Sequence, residues 1–356
     1  MLETAHGLVE TPVFMPVATQ ASVKALSQED LASLGIRAIL ANSYHLALRP
    51  GSRTIQAAGG LHRFMGYEGM ILTDSGGFQV MSLAGLRSVE DSGVAFKSHL
   101  DGSLLRLTPG RVIELQAELG SDCWTSLDVC PPYPCSEREA AEALRRTMKW
   151  AEDSLPALEL SLAQGRTPLF FPILQGSFYP DLRRQAAEHL ASLPAQGAAL
   201  GGFSVGEAKE LTWETLERTL SWLPQALPRY LMGVGTPADL WEAAALGVDM
   251  MDCVFPTRVA RNGQAMTRRG RLNIGNSPFR QDFGPLDPEC SCFVCARYSR
   301  SYLNHLFRCR ELSSYRLLTI HNLHLMAQVT AEIRSAIREG RFQESRRAFL
   351  NAQGGP

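Results

Sequence analysis

A chain of 356 residues exceeds one average domain, but an α/β barrel uses such a length as a single unit with insertions. Its 35 basic and 36 acidic residues nearly cancel, so no global field marks a polyanionic partner, and eight cysteines over this length are no disulfide scaffold. No apolar run reaches the ~18 residues of a membrane span, and MLETAHGLVE lacks the basic-then-apolar order of a secretion signal; the expectation is a cytosolic protein with no membrane partner.

Short apolar runs recur along the chain, each closing on Gly or a polar residue. They are VFMPV at 13–17, AILAN at 38–42, MILTD at 70–74, DCWTSLD at 122–128, LFFPILQ at 169–175, AALGGF ending at Phe203, RYLMG at 229–233 and VDMMD at 248–252. Continuous apolar runs fit strands buried on both faces, as in a parallel sheet. Helical patterns lie between them: 27–34 with Ser27 as cap, 136–162, 181–193, 212–222 with Thr212 as cap, and 237–246. Eight strands alternating with helices predict an α/β protein of the (β/α)8 TIM-barrel type, with a doubly wound open sheet as the alternative. In a barrel, Asp74, Asp128, Gln175, Gly202, Met232 and Asp252 share one mouth, from six strands.

Two segments interrupt the alternation. VAFKSHLDGSLLRL at 94–107 reads as a β-hairpin turning at Asp101-Gly102, inserted after the third strand. The stretch 256–315 is rich in Arg, Asn, Gly and Cys and separates the eighth strand from a last helical stretch at 321–349. The expected organisation is barrel strands over 1–256, an Arg-rich and metal-binding insertion over 257–320, and a closing C-terminal helix over 321–356. From Pro256 to Arg316 there are 11 arginines, no lysine and 4 acids, a formal +7 that the rest of the chain must offset. A cationic surface of arginines suits a polyanion, with guanidinium forks for phosphate; a solvated face is the plainer reading.

The most specific local signal is Cys290-Ser-Cys292-Phe-Val-Cys295 with His321 further on. Three thiolates and an imidazole make a closed tetrahedral zinc site, which has no open position for water and is therefore structural. His305 and His324 are also near enough in sequence to supply the fourth ligand. Asp252 ends an apolar run beside Arg258 and Arg261, where a carboxylate is costly unless paired or used; an ordinary turn-capping Asp is the alternative. Thr73-Asp74-Ser75-Gly76-Gly77-Phe78-Gln79 combines a strand-end carboxylate, a glycine turn that lets backbone approach a planar ligand, and an aromatic stacking face, or else is a plain strand-to-loop turn. Asp74 and Asp252 at one mouth suit chemistry at an anomeric carbon, one attacking and one moving a proton; a carboxylate metal site is the competing reading. Asp128, Gln175 and the Gly201-Gly202 backbone match the hydrogen-bonding edge of guanine, with Phe78 and Met232 either sandwiching the ring or serving as core.

With these stretches in view the chain resembles the tRNA-guanine transglycosylases over nearly its whole length, in ETPVFMPV, NSYHLALRPG, TDSGGFQV, LDVCPPYP, ILQGS, GGFSVGE, YLMGVGTP, MMDCVFPTRVARNGQ, LDPECSCFVC and LLTIHNLH. The resemblance implies a barrel with a zinc subdomain near its carboxyl end. It also implies exchange of guanine at the wobble position of GUN-anticodon tRNAs (those for Asp, Asn, His and Tyr) for a 7-deazaguanine, on the way to queuosine. It makes Asp252 the nucleophile that links covalently to ribose and Asp74 the general acid/base. Asp74, Ser75, Gly76, Gly77, Phe78, Asp128, Gln175, Gly202 and Met232 become the base pocket. Gly233, Val234, Gly235, Thr236, Pro237, Ala238, Asp239, Thr257, Arg258, Val259, Ala260 and Arg261 become tRNA contacts, and Cys290, Cys292, Cys295 and His321 the Zn2+ ligands. Cys130 and Val205 match the bacterial pattern, in which the incoming base is 7-aminomethyl-7-deazaguanine and Glu207 stands where it can meet the aminomethyl group. Phe203, where Leu is usual, and Val129, where an acid is common, depart from that pattern. A queuine-salvaging enzyme and a non-catalytic tRNA-binding subunit are the alternatives. A homodimer is implied; no nucleotide cofactor is called for, since no P-loop is present and the exchange is near energy-neutral.

Overall fold

The structure, a computed structural model, describes residues 1–77, 87–98 and 102–354. Eight positions around a barrel are filled in chain order by β1 (Val13–Ala18), β2 (Ala38–Asn42), β3 (Met70–Asp74), β4 (Cys123–Thr125), β5 (Leu169–Phe171 and Ile173–Leu174), β6 (Ala198–Leu200), β7 (Arg229–Leu231) and β8 (Met250–Cys253). All neighbours pair in parallel and β8 returns to β1, Asp252 opposite Met15. Pro172, which has no N–H to donate, splits β5 in two, yet its carbonyl still accepts from Ala199 N–H at 3.1 Å and continues the ring of strands. The eight apolar runs are therefore the barrel strands, and the closed ring replaces the open-sheet alternative.

Strand parity decides what fills the lumen. Met15, Leu40, Leu72, Phe171, Ile173, Ala199, Tyr230 and Met250 pack together inside the barrel. Their strand neighbours Phe14, Ile39, Ile71, Leu200 and Met251 face the other way, onto the helices. Two residues beyond the inward Leu40, Leu72 and Met250 come Asn42, Asp74 and Asp252. The same alternation that builds the core thus delivers three polar side chains to the C-terminal mouth, with Asn42 directly opposite Asp74 across the β2–β3 pair.

The helices differ from expectation in informative ways. The stretch at 136–162 is two helices, Glu137–Asp153 and Leu155–Ala163, because Pro156 cannot donate to the preceding turn. The helix expected from Thr212 starts earlier, at Lys209; Ala208 is its N-cap, while the Thr212 hydroxyl donates to the Glu207 carboxylate at 2.7 Å. The last stretch is Leu312–Arg338 and Phe342–Ala352, separated where Gly340 takes a φ of +68°, so His321 lies well inside a helix and not at its start. The helix Pro109–Leu119 was absent from the sequence reading, although Thr108, Pro109 and Gly120 supply its cap, first-turn proline and left-handed terminus. The expected hairpin is part of a three-stranded antiparallel sheet, Arg87–Glu90, Gly93–Lys97 and Leu104–Leu107, with Val94 opposite Leu107; Asp101 of its turn lies outside the described residues.

At the opposite end of the barrel Asp122 is buried beneath the N-terminal hairpin formed by Leu2–Thr4 and Gly7–Val9. Its two oxygens receive His6 Nδ1 at 2.7 Å and His62 Nε2 at 3.1 Å, plus the Ile71 N–H at 2.8 Å, and the two imidazoles stack at 3.3 Å. Burial opposes ionisation, but these donors outweigh it and hold the carboxyl below its ordinary value. Such a depressed carboxyl adds stability that is complete above the unfolded-state pKa and lost as pH falls through the folded one. Asp122→Ala should therefore cost about 2–4 kcal/mol in urea unfolding at pH 7, and the gap should narrow below about pH 3.9.

Candidate active site at the barrel mouth

Three carboxylates gather at the mouth, and none has a cationic partner among the described residues. Asp74 accepts from Asn42 Nδ2 at 2.5 Å and from the Ser43 N–H at 3.1 Å. Asp252 accepts from the Tyr230 hydroxyl at 2.7 Å and the Gly233 N–H at 2.8 Å, both on Oδ1, and no other residue bonds its Oδ2 among the described residues. Asp128 accepts from Gln175 Nε2 at 2.7 Å and from the Ser75 hydroxyl at 3.3 Å. Burial pushes the Asp74 carboxyl up to about 7, the negative charges of Asp252 and Asp128 adding to the effect. Asp128 is pushed up to about 6 and Asp252 is raised, in both cases by burial against the pull of their donors. The Tyr230 hydroxyl, buried against Asp252, is raised well above its usual value and stays a donor.

Glycines make the close approaches possible. A Cβ at Gly77 would overlap the Asp128 carboxylate, and Gly76 takes a φ of +84°. Gly202, at φ +78°, leaves room where a Cβ would lie 2.6 Å from Gln175 Oε1. Asp74, Ser75, Gly76, Gly77, Asp128, Gln175 and Gly202 are thus one contiguous wall, joined by hydrogen bonds or direct contact. Phe78 lies outside the described residues. Met232 is half-buried and packs on the lumen cluster. The guanidiniums expected beside Asp252 are not its partners: Arg258 is exposed, and Arg261 donates to its own helix at the Thr257 carbonyl. Thr236 and Asp239 form a capping box for the helix Pro237–Ala245, and Asp239 also pairs with Lys209. Val234, Pro237, Thr257, Val259 and Ala260 are buried, Ala238 is half-buried, and a Cβ on Gly235 would strike Phe14 and Cys253. Glu207, expected to face the ligand, accepts instead from Ser204 N–H, Val205 N–H and the Thr212 hydroxyl, and so braces its own turn. Cys130 is buried beside this wall, its thiol pushed up to about 12.

The Cys3His cluster assembles as its spacing predicts. His321 Nδ1 lies 3.6 Å from the sulfurs of Cys290 and Cys292 and 3.3 Å from that of Cys295, while its Nε2 lies 2.8 Å from the Met266 carbonyl. Donation from Nε2 to that carbonyl leaves the Nδ1 lone pair for a metal, and the donor set suits zinc. His305 contacts Cys309 and His324 contacts Ser291, so neither joins the cluster.

Three functional candidates escaped the sequence reading: Asn42, Tyr230 and Arg183. Asn42 ends AILAN as Asp74 ends MILTD, a parallel visible in the letters. Tyr230 in RYLMG could have been found by parity. Arg183, mid-helix, gave no signal.

A parallel barrel with carboxylates at its C-terminal mouth and a separate Cys3His cluster that could hold a metal ion defines the class as a barrel enzyme. A family profile described as queuine tRNA-ribosyltransferase matches residues 1–354. A queuine tRNA-ribosyltransferase of Dehalococcoides mccartyi is 52% identical over 350 residues, 98% of this chain and 88% of its own length. That of Desulforudis audaxviator is 52% identical over 351 residues (99% and 93%), and that of Caldanaerobacter subterraneus 50% over 350 (98% and 92%). The chain belongs to the queuine tRNA-ribosyltransferase family: it is a tRNA-guanine transglycosylase, a pentosyltransferase.

A carboxyl raised by burial keeps a proton in the folded state that the unfolded chain has released, so stability falls as pH rises from about 3.9 towards 7. Asp74→Asn should then be more stable than the unaltered protein by roughly 1–3 kcal/mol at pH 8 and indistinguishable at pH 4, by thermal or urea melts.

Proposed function

We propose that the chain exchanges guanine at the wobble position of GUN-anticodon tRNAs for 7-aminomethyl-7-deazaguanine, by double displacement through a ribosyl-aspartate. The observation that carries this reading is Asp252: Tyr230 and Gly233 both bond Oδ1, and among the described residues none bonds Oδ2, beside Asp74. Oδ2 attacks C1′ as the bond from C1′ to guanine N9 breaks, and the departing guanine takes its proton from the Asp74 carboxyl, which is left ionised. The incoming deazaguanine then gives its N9 proton to Asp74 and attacks C1′, which releases the Asp252 carboxylate. One glycosidic bond is broken and one made, so no nucleotide is consumed. A carboxyl pushed up to about 7 transfers protons in either direction near neutral pH.

In this reading Asp128 receives the two donors on the base edge, while Gln175 and the Gly202 N–H meet its oxygen. Cys130 and Val205 favour the aminomethyl base, although the relatives' name carries queuine. An anticodon loop presents its bases unstacked, which lowers the cost of bringing one to the mouth. Exposed Arg258, on the helix directly after β8, is the phosphate contact of choice. Zinc at Cys290, Cys292, Cys295 and His321 ties the insertion to the helix Leu312–Arg338 and takes no part in the exchange. Exposed Phe293 and Tyr302 offer an apolar surface for a homodimer. No helix among the described residues is long and apolar enough to cross a membrane.

Labelled guanine should enter GUN-anticodon tRNA and be displaced by the aminomethyl base more effectively than by queuine. Asp252→Asn should reduce that exchange at least ~10³-fold and abolish a denaturant-stable protein–tRNA adduct, with tRNA affinity within about twofold. Near-normal exchange in this variant would remove Asp252 from the role. For Arg258→Ala, tRNA affinity should fall by about two- to tenfold and the salt slope by about one; filter binding across a salt series reads both.

A further inference from the structure

Arg183, on the helix Pro180–Ala191, is fully buried, and no carboxylate forms an ion pair with it among the described residues. Its Nε donates to the Ser177 carbonyl at 2.6 Å, and its Nη1 to the carbonyls of Gly201 at 2.9 Å and Leu174 at 3.3 Å. The guanidinium also lies 4.3 Å from the centre of the Phe203 ring. An unpaired buried guanidinium is costly, and nothing in packing alone demands one here. The carbonyls it gathers belong to the two segments that carry Gln175 and Gly202.

A planar trans peptide points its C=O and N–H in opposite directions. With the Gly201 carbonyl drawn onto Arg183, the Gly202 N–H turns the other way, to the side where it meets the Cys130 thiol. Gln175 is held at one end of its amide. Its Nε2 donates to Asp128, while Oε1 is buried without a partner, as is Arg183 Nη2. Both unpartnered atoms face one side of Gly202, where a Cβ would sit 2.6 Å from Oε1 and 3.0 Å from Nη2. An acceptor and a donor that flank space only glycine leaves open can be bridged by one water.

We propose that Arg183 is a positioning residue that aims two donors, Gln175 Nε2 and the Gly202 N–H, at the six-position of the bound base, and so makes the site choose a 6-oxo over a 6-amino purine. The inference rests on the base-site reading of Gln175 and Gly202 given above. Asp128 cannot fix the amide alone. Its carboxyl is pushed up to about 6, and near that pH it can donate as well as accept, so either amide orientation would satisfy it. A guanidinium only donates, so beside Arg183 Nη2 the amide orientation that turns Oε1 to that side of Gly202 and Nε2 to Asp128 is favoured over the reverse at every working pH.

The test compares dissociation constants of guanine and 2,6-diaminopurine by titration calorimetry on the full-length protein, which needs no turnover. The unaltered protein, Arg183→Met and Gln175→Met are compared, with Arg183→Lys as the variant to read if Arg183→Met does not fold. The N1 mismatch of diaminopurine against Asp128 is common to all, so changes in the ratio report the six-position donors. Preference for guanine should fall roughly tenfold or more in Arg183→Met, one decade corresponding to ~1.4 kcal/mol, and fall in Arg183→Lys, whose ammonium cannot reproduce the fork. Weaker binding of both bases with an unchanged ratio would reduce Arg183 to a structural brace and overturn the proposal. An unchanged ratio in Gln175→Met would instead overturn the base-site reading itself.

Discussion

Carboxylates gathered at the barrel mouth with no counter-cation among the described residues are the constraint on which the site depends. Asp74, Asp128 and Asp252 are held by neutral donors: an asparagine, a glutamine, a tyrosine, a serine and two backbone amides. Neutral donors satisfy carboxylate lone pairs without cancelling their charge, so burial prevails and each carboxyl moves up towards neutrality. A guanidinium beside Asp252 would have done the reverse, lowering its pKa and covering the oxygen that the proposed reaction needs. Arg258 and Arg261 are close in sequence, yet the helix after β8 directs one to solvent and folds the other onto its own backbone.

The other end of the barrel shows the same residue type under opposite treatment. Asp122 is buried too, but two imidazoles and an amide converge on it and hold its carboxyl below the ordinary range. Its task is to pin the N-terminal hairpin across the strand ends. Asp74 and Asp122 are both tied to β3, near its two ends, since Asp122 binds the Ile71 amide. Their contrast is one of partners, not of burial. Asp122 is given donors until it is satisfied; Asp74, to which the proposed exchange assigns the proton, is left partly unsatisfied at a cost in stability.

Much of the architecture was legible in the letters. Apolar runs such as AILAN and MILTD are long enough to be buried strands, and each ends on the polar residue that reaches the mouth. Parity does the rest, because inward Leu40, Leu72 and Met250 put Asn42, Asp74 and Asp252 two residues on in the lumen. The Cys290–Cys292–Cys295 spacing was equally readable. What was misread is instructive. The apolar period at 136–162 runs through Pro156 although the helix breaks there, and Thr212 has the letters of a cap but bonds Glu207 inside a helix that begins at Lys209. His321 was set at a helix start, whereas Leu312–Arg338 begins nine residues earlier with no capping side chain to announce it.

Arg183 was invisible for a different reason. Within PDLRRQAAEHL it is one arginine of an adjacent pair, Arg184 being exposed, and nothing local separates the one that points inward. Local chemistry and periodicity are properties of neighbours in the chain, so the sequence by itself determined the barrel strands, the three cysteines of the cluster and which carboxylates end strands, while the choice of His321 over His305 and His324 waited for the fold. Hydrogen-bond partners are properties of neighbours in space. Only the closed barrel decided that Tyr230 and Gly233 share one oxygen of Asp252, that Asn42 faces Asp74, and that a buried arginine draws together the segments bearing Gln175 and Gly202.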